Sequence, residues 1–263
     1  MKYKIIAMDF DGTLLTSNKK ITKKTKNTLK RLKNNNYIIV GITARNLLSA
    51  KNVLDVNLFD YIILNNGSDI YYVKEDKLKS ISFIEESNVK EIYNLYKNKS
   101  YRIDFCTPYT YIIKSTTKND TRKFVKYIDS FDEVDGPISR MNIFFKDIKE
   151  LNKNKEYLEN KFNSINVVNM IDTDNANSKI WLTINPKSVN KLITLKIICD
   201  ELKFALNDVL FFGDGENDIV LIENVGMGIA MDNALDIVKG KASYVTLSND
   251  KDGIVEYLEK NNY

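Results

Sequence analysis

Ile5-Ile6-Ala7-Met8-Asp9-Phe10-Asp11-Gly12-Thr13-Leu14-Leu15 decides how the rest of the chain is read. Four apolar residues lead straight into two carboxylates one residue apart, and Gly12 lets the backbone turn. The simplest reading is a buried strand delivering Asp9 and Asp11 at its C-terminal end. Open parallel α/β sheets bind their ligands at that end. Two aspartates this close repel unless something positive lies beside them, and a divalent metal would serve; oxygen ligands favour Mg²⁺. A strand ending in an ordinary polar turn is the plainer alternative. A calcium-binding EF-hand loop also opens Asp-x-Asp-Gly, but its fifth and twelfth positions are Thr13 and Lys20 here, so the acidic pattern fails.

Outward from this stretch the chain alternates. Thr22 caps an expected helix running to about Asn34, and Tyr37 to Ile42 reads as a second apolar strand ending at Thr43. A helix carrying Leu47, Leu48, Val53 and Leu54 precedes a third strand, Tyr61 to Leu64. This β-α-β-α-β rhythm implies a parallel sheet with right-handed crossovers. Asn65-Asn66-Gly67 breaks it, and Ile70 to Phe83 reads as a hairpin or extended arm.

From about residue 84 to 186 the pattern differs. Helices are expected over Glu86–Lys97, Thr121–Phe131 and Ile148–Phe162. Strands are expected over Tyr101–Phe105, Tyr109–Ile113, Met141–Phe145, Asn166–Met170 and Ile180–Ile184. Locally paired strands of this kind make a separate α+β domain, inserted into the first. The parallel rhythm returns with a helix after Ser188, the strand Val209–Phe212 and the turn Gly213-Asp214-Gly215-Glu216-Asn217-Asp218. Short strands at Gly226–Ala230 and Ser243–Thr246 and a last helix from about Asp252 follow. The expected fold is therefore α/β: a Rossmann-like parallel-sheet core over 1–83 and 187–263, with an inserted domain over 84–186.

Composition narrows the chemistry. The 263 residues are 43% hydrophobic and 28% charged with a formal charge of +4, which suits a globular protein. No apolar run approaches the ~20 residues of a membrane span, and the N-terminus lacks a signal-peptide pattern, so a cytoplasmic location is expected. The lysine-rich stretch from Lys19 to Lys33 reads as a solvated helix face rather than a nucleic-acid footprint, because base-stacking aromatics do not interleave with it. The expected partners are a small molecule, no nucleic acid and no membrane, with a monomer or weak homo-oligomer.

The sequence contains no histidine, which removes Ser-His-Asp hydrolases, histidine phosphatases and His-ligated metals together. Cys106 and Cys199 match no metal spacing, and Ile112 and Ala205, not arginine, stand six positions after them, against a cysteine-phosphatase loop. No G-x-x-x-x-G-K-[ST] is present.

Three strand ends on one sheet edge then carry Asp9 with Asp11, Thr43, and Asp214 with Asp218, while a helix start adds Lys191. Carboxylates can hold a hard cation, and a hydroxyl and an ammonium can hold a tetrahedral dianion beside it. Phosphoryl transfer needs that inventory, with a carboxylate as the natural nucleophile.

Asp9-Phe10-Asp11-Gly12-Thr13-Leu14-Leu15, Thr43, Lys191 and Gly213 to Asp218 resemble, in order, the four motifs of the haloacid dehalogenase superfamily. Asp232-Asn233-Ala234 and Ser248 to Gly253 resemble the C-terminal signatures of its Cof-type sugar-phosphatase branch. The resemblance covers the whole chain. It implies a Mg²⁺-dependent phosphatase acting on small phosphate esters through an aspartyl-phosphate, with a large C2-type cap in the inserted slot. By the same resemblance Asp9 is nucleophile and metal ligand. Asp11 is general acid and then base, with its backbone carbonyl on the metal. Asp214 is a further ligand, and Asp218 a ligand or ligand-positioning group. Thr43, Lys191 and Asn217 contact phosphate. Two departures stand out: Thr43-Ala44-Arg45 replaces the usual Thr-Gly-Arg, and Leu192 replaces the glycine usual after the lysine. A phosphomutase, or a phosphate-binding regulatory module without turnover, would share the motifs. Within the inserted domain the candidate leaving-group contacts are Arg102, Asp104, Arg140, Asn142, Asp174, Lys179 and Trp181.

Overall fold

The computed structural model describes residues 3–172 and 179–263. In chain order the elements are β1 (Ile5–Asp9), α1 (Lys23–Asn34), β2 (Ile38–Ile42), α2 (Leu47–Val53), β3 (Tyr61–Leu64), β4 (Asp69–Tyr72) and β5 (Lys77–Ser80). There follow α3 (Glu86–Tyr96), β6 (Arg102–Cys106), β7 (Tyr111–Ser115), β8 (Val125–Tyr127), β9 (Arg140–Phe145), α4 (Ile148–Lys161), β10 (Ile165–Asp172) and β11 (Lys179–Pro186). The chain closes with α5 (Lys191–Leu202), β12 (Val209–Gly213), α6 (Ile219–Asn224), β13 (Met227–Ala230), α7 (Asp236–Lys239), β14 (Tyr244–Val245) and α8 (Gly253–Lys260).

Two compact units result. The first holds the residues up to Arg45, Ala50–Lys79 and Asn190–Tyr263; the second holds Asn46–Ser49 and Ser80–Val189. The first is built on an eight-stranded sheet in the order β14-β13-β12-β1-β2-β3-β4-β5. From β14 to β3 the pairings are parallel, and β4 returns antiparallel to β3. The stretch read as a hairpin or extended arm thus forms the antiparallel edge of this sheet. Central β1 is buried along its whole length, because a parallel strand covered on both faces must be apolar throughout. Helix α1 starts where Thr22 Oγ1 accepts from the Thr25 amide (3.0 Å). It turns Leu29 and Leu32 inward, and Asn36 takes the left-handed conformation (φ 62°) that ends it.

The second unit has a six-stranded sheet, β10-β11-β9-β6-β7-β8, antiparallel except for the β7–β8 pair. Alternation sorts its residues by face. Ile103, Phe105, Met141, Ile143, Phe145, Leu182 and Ile184 join the core with Ile92 and Tyr96 of α3 and Leu151 and Leu158 of α4. The alternate positions put Arg102, Asp104, Arg140, Asn142, Trp181 and Thr183 on the opposite face.

One expected element is absent. Thr121–Phe131 is not a helix: Val125–Tyr127 forms β8, beside β7, and Phe131–Glu133 is a single 3-10 turn. Phe124 and Ile128 are both buried, four residues apart, which mimics a helical face. The backbone instead serves the neighbouring strand, since the Phe124 carbonyl accepts from the Tyr111 amide (2.9 Å). The Asp129 and Ser130 amides then turn onto Glu133 Oε1 (2.9 and 3.0 Å).

Candidate active site

Four of the expected residues stand together. Asp9 ends β1, Asp214 follows β12, Asp218 closes the short turn before α6, and Lys191 opens α5. Asn190 caps α5, its Oδ1 accepting from the Ile193 amide (2.9 Å), and so fixes where the Lys191 side chain starts. Lys191 Nζ donates to Asp9 Oδ1 and to Asp218 Oδ1, both at 2.6 Å, and is itself 2% exposed. Asp218 Oδ2 accepts from the Asp214 and Gly215 amides, both at 3.1 Å. Every oxygen of Asp218 is therefore engaged, and its carboxylate positions the ammonium and the turn. Thr13 Oγ1 donates to Asp214 Oδ1 at 2.6 Å.

Asp9, Asp214 and Asp218 each offer an oxygen within 4.8 Å of the others. Burial pushes the Asp9 carboxyl well up; Lys191 opposes this, while Asp218 and Asp214 add to it. Burial, then Asp218, lifts Asp214 to about 6. Burial disfavours the Lys191 ammonium, but Asp218 and Asp9 outweigh it and hold its proton more tightly than usual. Three carboxylates against one ammonium leave an excess of negative charge that a hard divalent cation would balance.

Gly12 makes the cluster possible. Its φ is +85°, and a Cβ there would lie 2.2 Å from Asp214 Oδ2. Behind it the loop is tied down from the C-terminal end of the chain. Asn233 Nδ2 donates to the Gly12 carbonyl (2.8 Å), Asn249 Nδ2 to the Leu15 carbonyl (2.8 Å), and the Asn249 amide to Asn233 Oδ1 (3.0 Å).

The Asp11 carboxylate is held by partners of its own. Arg45 grips it with two bonds, Nε to Oδ2 (2.7 Å) and Nη2 to Oδ1 (2.8 Å), and Lys19 Nζ is 3.1 Å from Oδ1. Burial would raise this carboxyl, but Arg45 and then Lys19 outweigh it and hold it below its usual range. Thr43 is buried just beyond β2, its Oγ1 accepting from the Arg45 amide (3.1 Å). Asn217 is exposed on its turn, with Oδ1 2.6 Å from where a Cβ on Gly215 would sit.

Arg45, Lys19 and Thr13 were not singled out from sequence. Arg45 and Thr13 lie inside two of the motifs, which was a usable signal; Lys19 carried none. In the second unit Arg102 pairs with Asp104, Nε to Oδ1 at 2.6 Å and Nη2 to Oδ2 at 2.9 Å. Trp181 stacks on Phe144 with centroids 5.4 Å apart, and Lys179 is exposed. Asp174 lies outside the described residues. Among the described residues no helix is long and apolar enough to cross a membrane.

A buried carboxylate cluster bridged by lysine thus lies at the C-terminal edge of a parallel α/β sheet, the edge at which such sheets bind their ligands. The profile of haloacid dehalogenase-like hydrolases matches residues 6–258, and the chain belongs to that family. It is 28% identical over 266 residues to the 5-amino-6-(5-phospho-D-ribitylamino)uracil phosphatase YcsE of Bacillus subtilis, covering 97% of this chain and 94% of that one. It is 30% identical over 273 residues to a putative phosphatase of Haemophilus influenzae, with 99% and 98% covered. A haloacid dehalogenase-like hydrolase from Bacteroides thetaiotaomicron has a similar structure: TM-score 0.84 at 25% identity, covering 99% of this chain and 100% of that one.

Proposed function

We propose that this protein is a Mg²⁺-dependent phosphatase hydrolysing small cytosolic phosphomonoesters, sugar phosphates or similar, through an aspartyl-phosphate on Asp9. The observation that carries the reading is Lys191 holding Asp9 Oδ1 at 2.6 Å inside a three-aspartate cluster. That contact leaves Asp9 Oδ2 as the attacking atom. The bond from Oδ2 to phosphorus forms as the ester oxygen departs with a proton from Asp11. Water then attacks phosphorus, Asp11 takes its proton, and phosphate leaves with the carboxylate regenerated. Arg45 and Lys19 hold the Asp11 carboxyl below its usual range, which suits the base of the second half-reaction; the first half-reaction requires Asp11 to take up a proton before the ester oxygen departs.

Asp9, Asp214 and the Asp11 carbonyl, with Asp218 beside them, would hold Mg²⁺, which supplies charge neutralisation at the phosphoryl group. Lys191, Thr43 and Asn217 are assigned to the phosphate oxygens. The names of the B. subtilis and H. influenzae relatives support phosphatase chemistry, and the first of them a phosphorylated polyol chain. The second unit is assigned the role of a cap that selects the leaving group.

The test is p-nitrophenyl phosphate turnover with Mg²⁺, with EDTA, and in Asp9→Asn. Turnover should need the metal and fall at least ~10²-fold in the variant. Full activity in EDTA would remove the metal from the reading. Asp9→Asn activity above about a tenth of wild type, without deamidation, would remove the nucleophile.

A further inference from the structure

The two C-terminal signatures of the sequence have no part in the chemistry proposed above, yet they close on the loop that follows β1. Asn233 and Asn249 stand 16 positions apart, and the Asn249 amide donates to Asn233 Oδ1 (3.0 Å). Asn233 Nδ2 donates in turn to the Gly12 carbonyl (2.8 Å), and Asn249 Nδ2 to the Leu15 carbonyl (2.8 Å). Further along the same loop the Ser17 amide and hydroxyl donate to Asp250 Oδ1 (2.8 Å) and Oδ2 (2.6 Å). The loop, both signatures and the aspartate cluster all belong to the first unit.

Where each tie falls on the loop decides what it can do. Asn233 holds the oxygen of the Gly12–Thr13 peptide. On one side of that peptide, Gly12 sits so close to Asp214 that a Cβ would lie 2.2 Å from Oδ2. On the other side, Thr13 Oγ1 donates to Asp214 Oδ1 at 2.6 Å. Rotation of this one peptide therefore disturbs two contacts of the Asp214 carboxylate. Asparagine suits the position because one short side chain offers a donor and an acceptor, and Asn233 uses both. Asn233 is exposed, so its bonds compete with water and add little to stability. Orienting a metal ligand from outside has a larger consequence, typically about 10–100-fold in metal affinity or activity.

We propose that Asn233, steadied by Asn249, is a positioning residue for the metal site: it fixes the Gly12–Thr13 peptide and, through Thr13, the carboxylate of Asp214. This rests on the phosphatase reading, in which Asp214 holds Mg²⁺.

The test is the Mg²⁺ Kd, measured by titration calorimetry without substrate, in wild type and in Asn233→Ala, Asn249→Ala and Asp250→Ala. The Kd should rise about tenfold or more in Asn233→Ala, severalfold in Asn249→Ala, and by less than about twofold in Asp250→Ala. The effect should thus fall along the loop from Gly12 to Ser17, although Asp250 makes the two charge-assisted bonds. A tie that only braces the fold would follow the bonds lost and leave the Kd alone. In turnover, Asn233→Ala should lower kcat at saturating Mg²⁺ while KM for p-nitrophenyl phosphate stays within about twofold. Asn233→Asp keeps the shape and the acceptor but loses the donor; it should weaken Mg²⁺ as well, and replaces the alanine variant if that one does not fold. A Kd within about twofold of wild type in Asn233→Ala, or the largest rise in Asp250→Ala, would overturn the proposal. A wild type that binds Mg²⁺ but hydrolyses no ester would sink the phosphatase reading, and the Kd values would still decide the role of Asn233. A wild type that binds no Mg²⁺ would overturn both.

Discussion

Lys191 Nζ lies 2.6 Å from Asp9 Oδ1 and 2.6 Å from Asp218 Oδ1, so one buried ammonium ties the end of the first strand to the turn that follows β12. The two carboxylates come from positions 182 and 27 residues away in the chain, and the lysine joins them directly. Removing one partner of such a pair exposes the desolvation cost of the others. Lys191→Met should therefore lose turnover and also about 3–5 kcal/mol of stability in urea unfolding. A loss below about 1 kcal/mol would mean the ammonium is not holding the site together.

Arg45 and Asp11 should behave in the opposite way. The Asp11 side chain is 36% exposed, and an ion pair of that kind adds at most about 1 kcal/mol. Arg45→Gln should hardly change the urea midpoint. It should nonetheless lower kcat by about tenfold or more, because the Asp11 carboxylate loses its orientation. Single-turnover kinetics should show the second half-reaction slowed more than the first. Unchanged kcat would make the pair a surface contact only.

Cys106 supplies a pH test away from the reacting groups. Burial pushes its thiol up to about 12; Arg140 pulls the other way and Asp104 adds to the rise. The unfolded thiol titrates near ~8.5. Between those values the unfolded chain gives up a proton that the folded chain keeps. The contribution of the thiol is therefore fully present below ~8.5 and is lost as pH rises toward the folded value. The stability difference between wild type and Cys106→Ala should be about 2 kcal/mol smaller at pH 10 than at pH 8. The native thiol should also resist alkylation at pH 8 until the protein is denatured. A pH-independent difference with rapid alkylation would show an open thiol.

Some of this was legible in the residues and some was not, for physical reasons. Fully buried strands such as β1 and β12 are short apolar runs ending in polar turns, and each was visible where it lies. The Thr22 cap and the Asn34-Asn35-Asn36 stop likewise mark α1 by local chemistry. The stretch 121–131 misled because Phe124 and Ile128 have helical spacing while the edge of β7 recruits the backbone between them. Strand pairing is a tertiary choice that local spacing does not encode. Asp9, Asp214, Asp218 and Lys191 could be placed at one sheet edge from topology alone, and they do meet. The grip of Arg45 on Asp11 spans 34 positions and depends on side-chain direction, which periodicity does not give. The pairing of Arg102 with Asp104 likewise joins alternate positions of one strand, and which of the charged groups on that face meet is decided only in the assembled sheet.

The aspartyl-phosphate is most directly tested by acid-quenching the protein during turnover with Mg²⁺ and a phosphate ester, then locating the phosphoryl group by peptide mass spectrometry. It should sit on the peptide carrying Asp9, come off with hydroxylamine, and build up further in Arg45→Gln. A protein that turns over under these conditions with no phosphoryl group on that peptide, in wild type or in Arg45→Gln, would contradict Asp9 as the nucleophile.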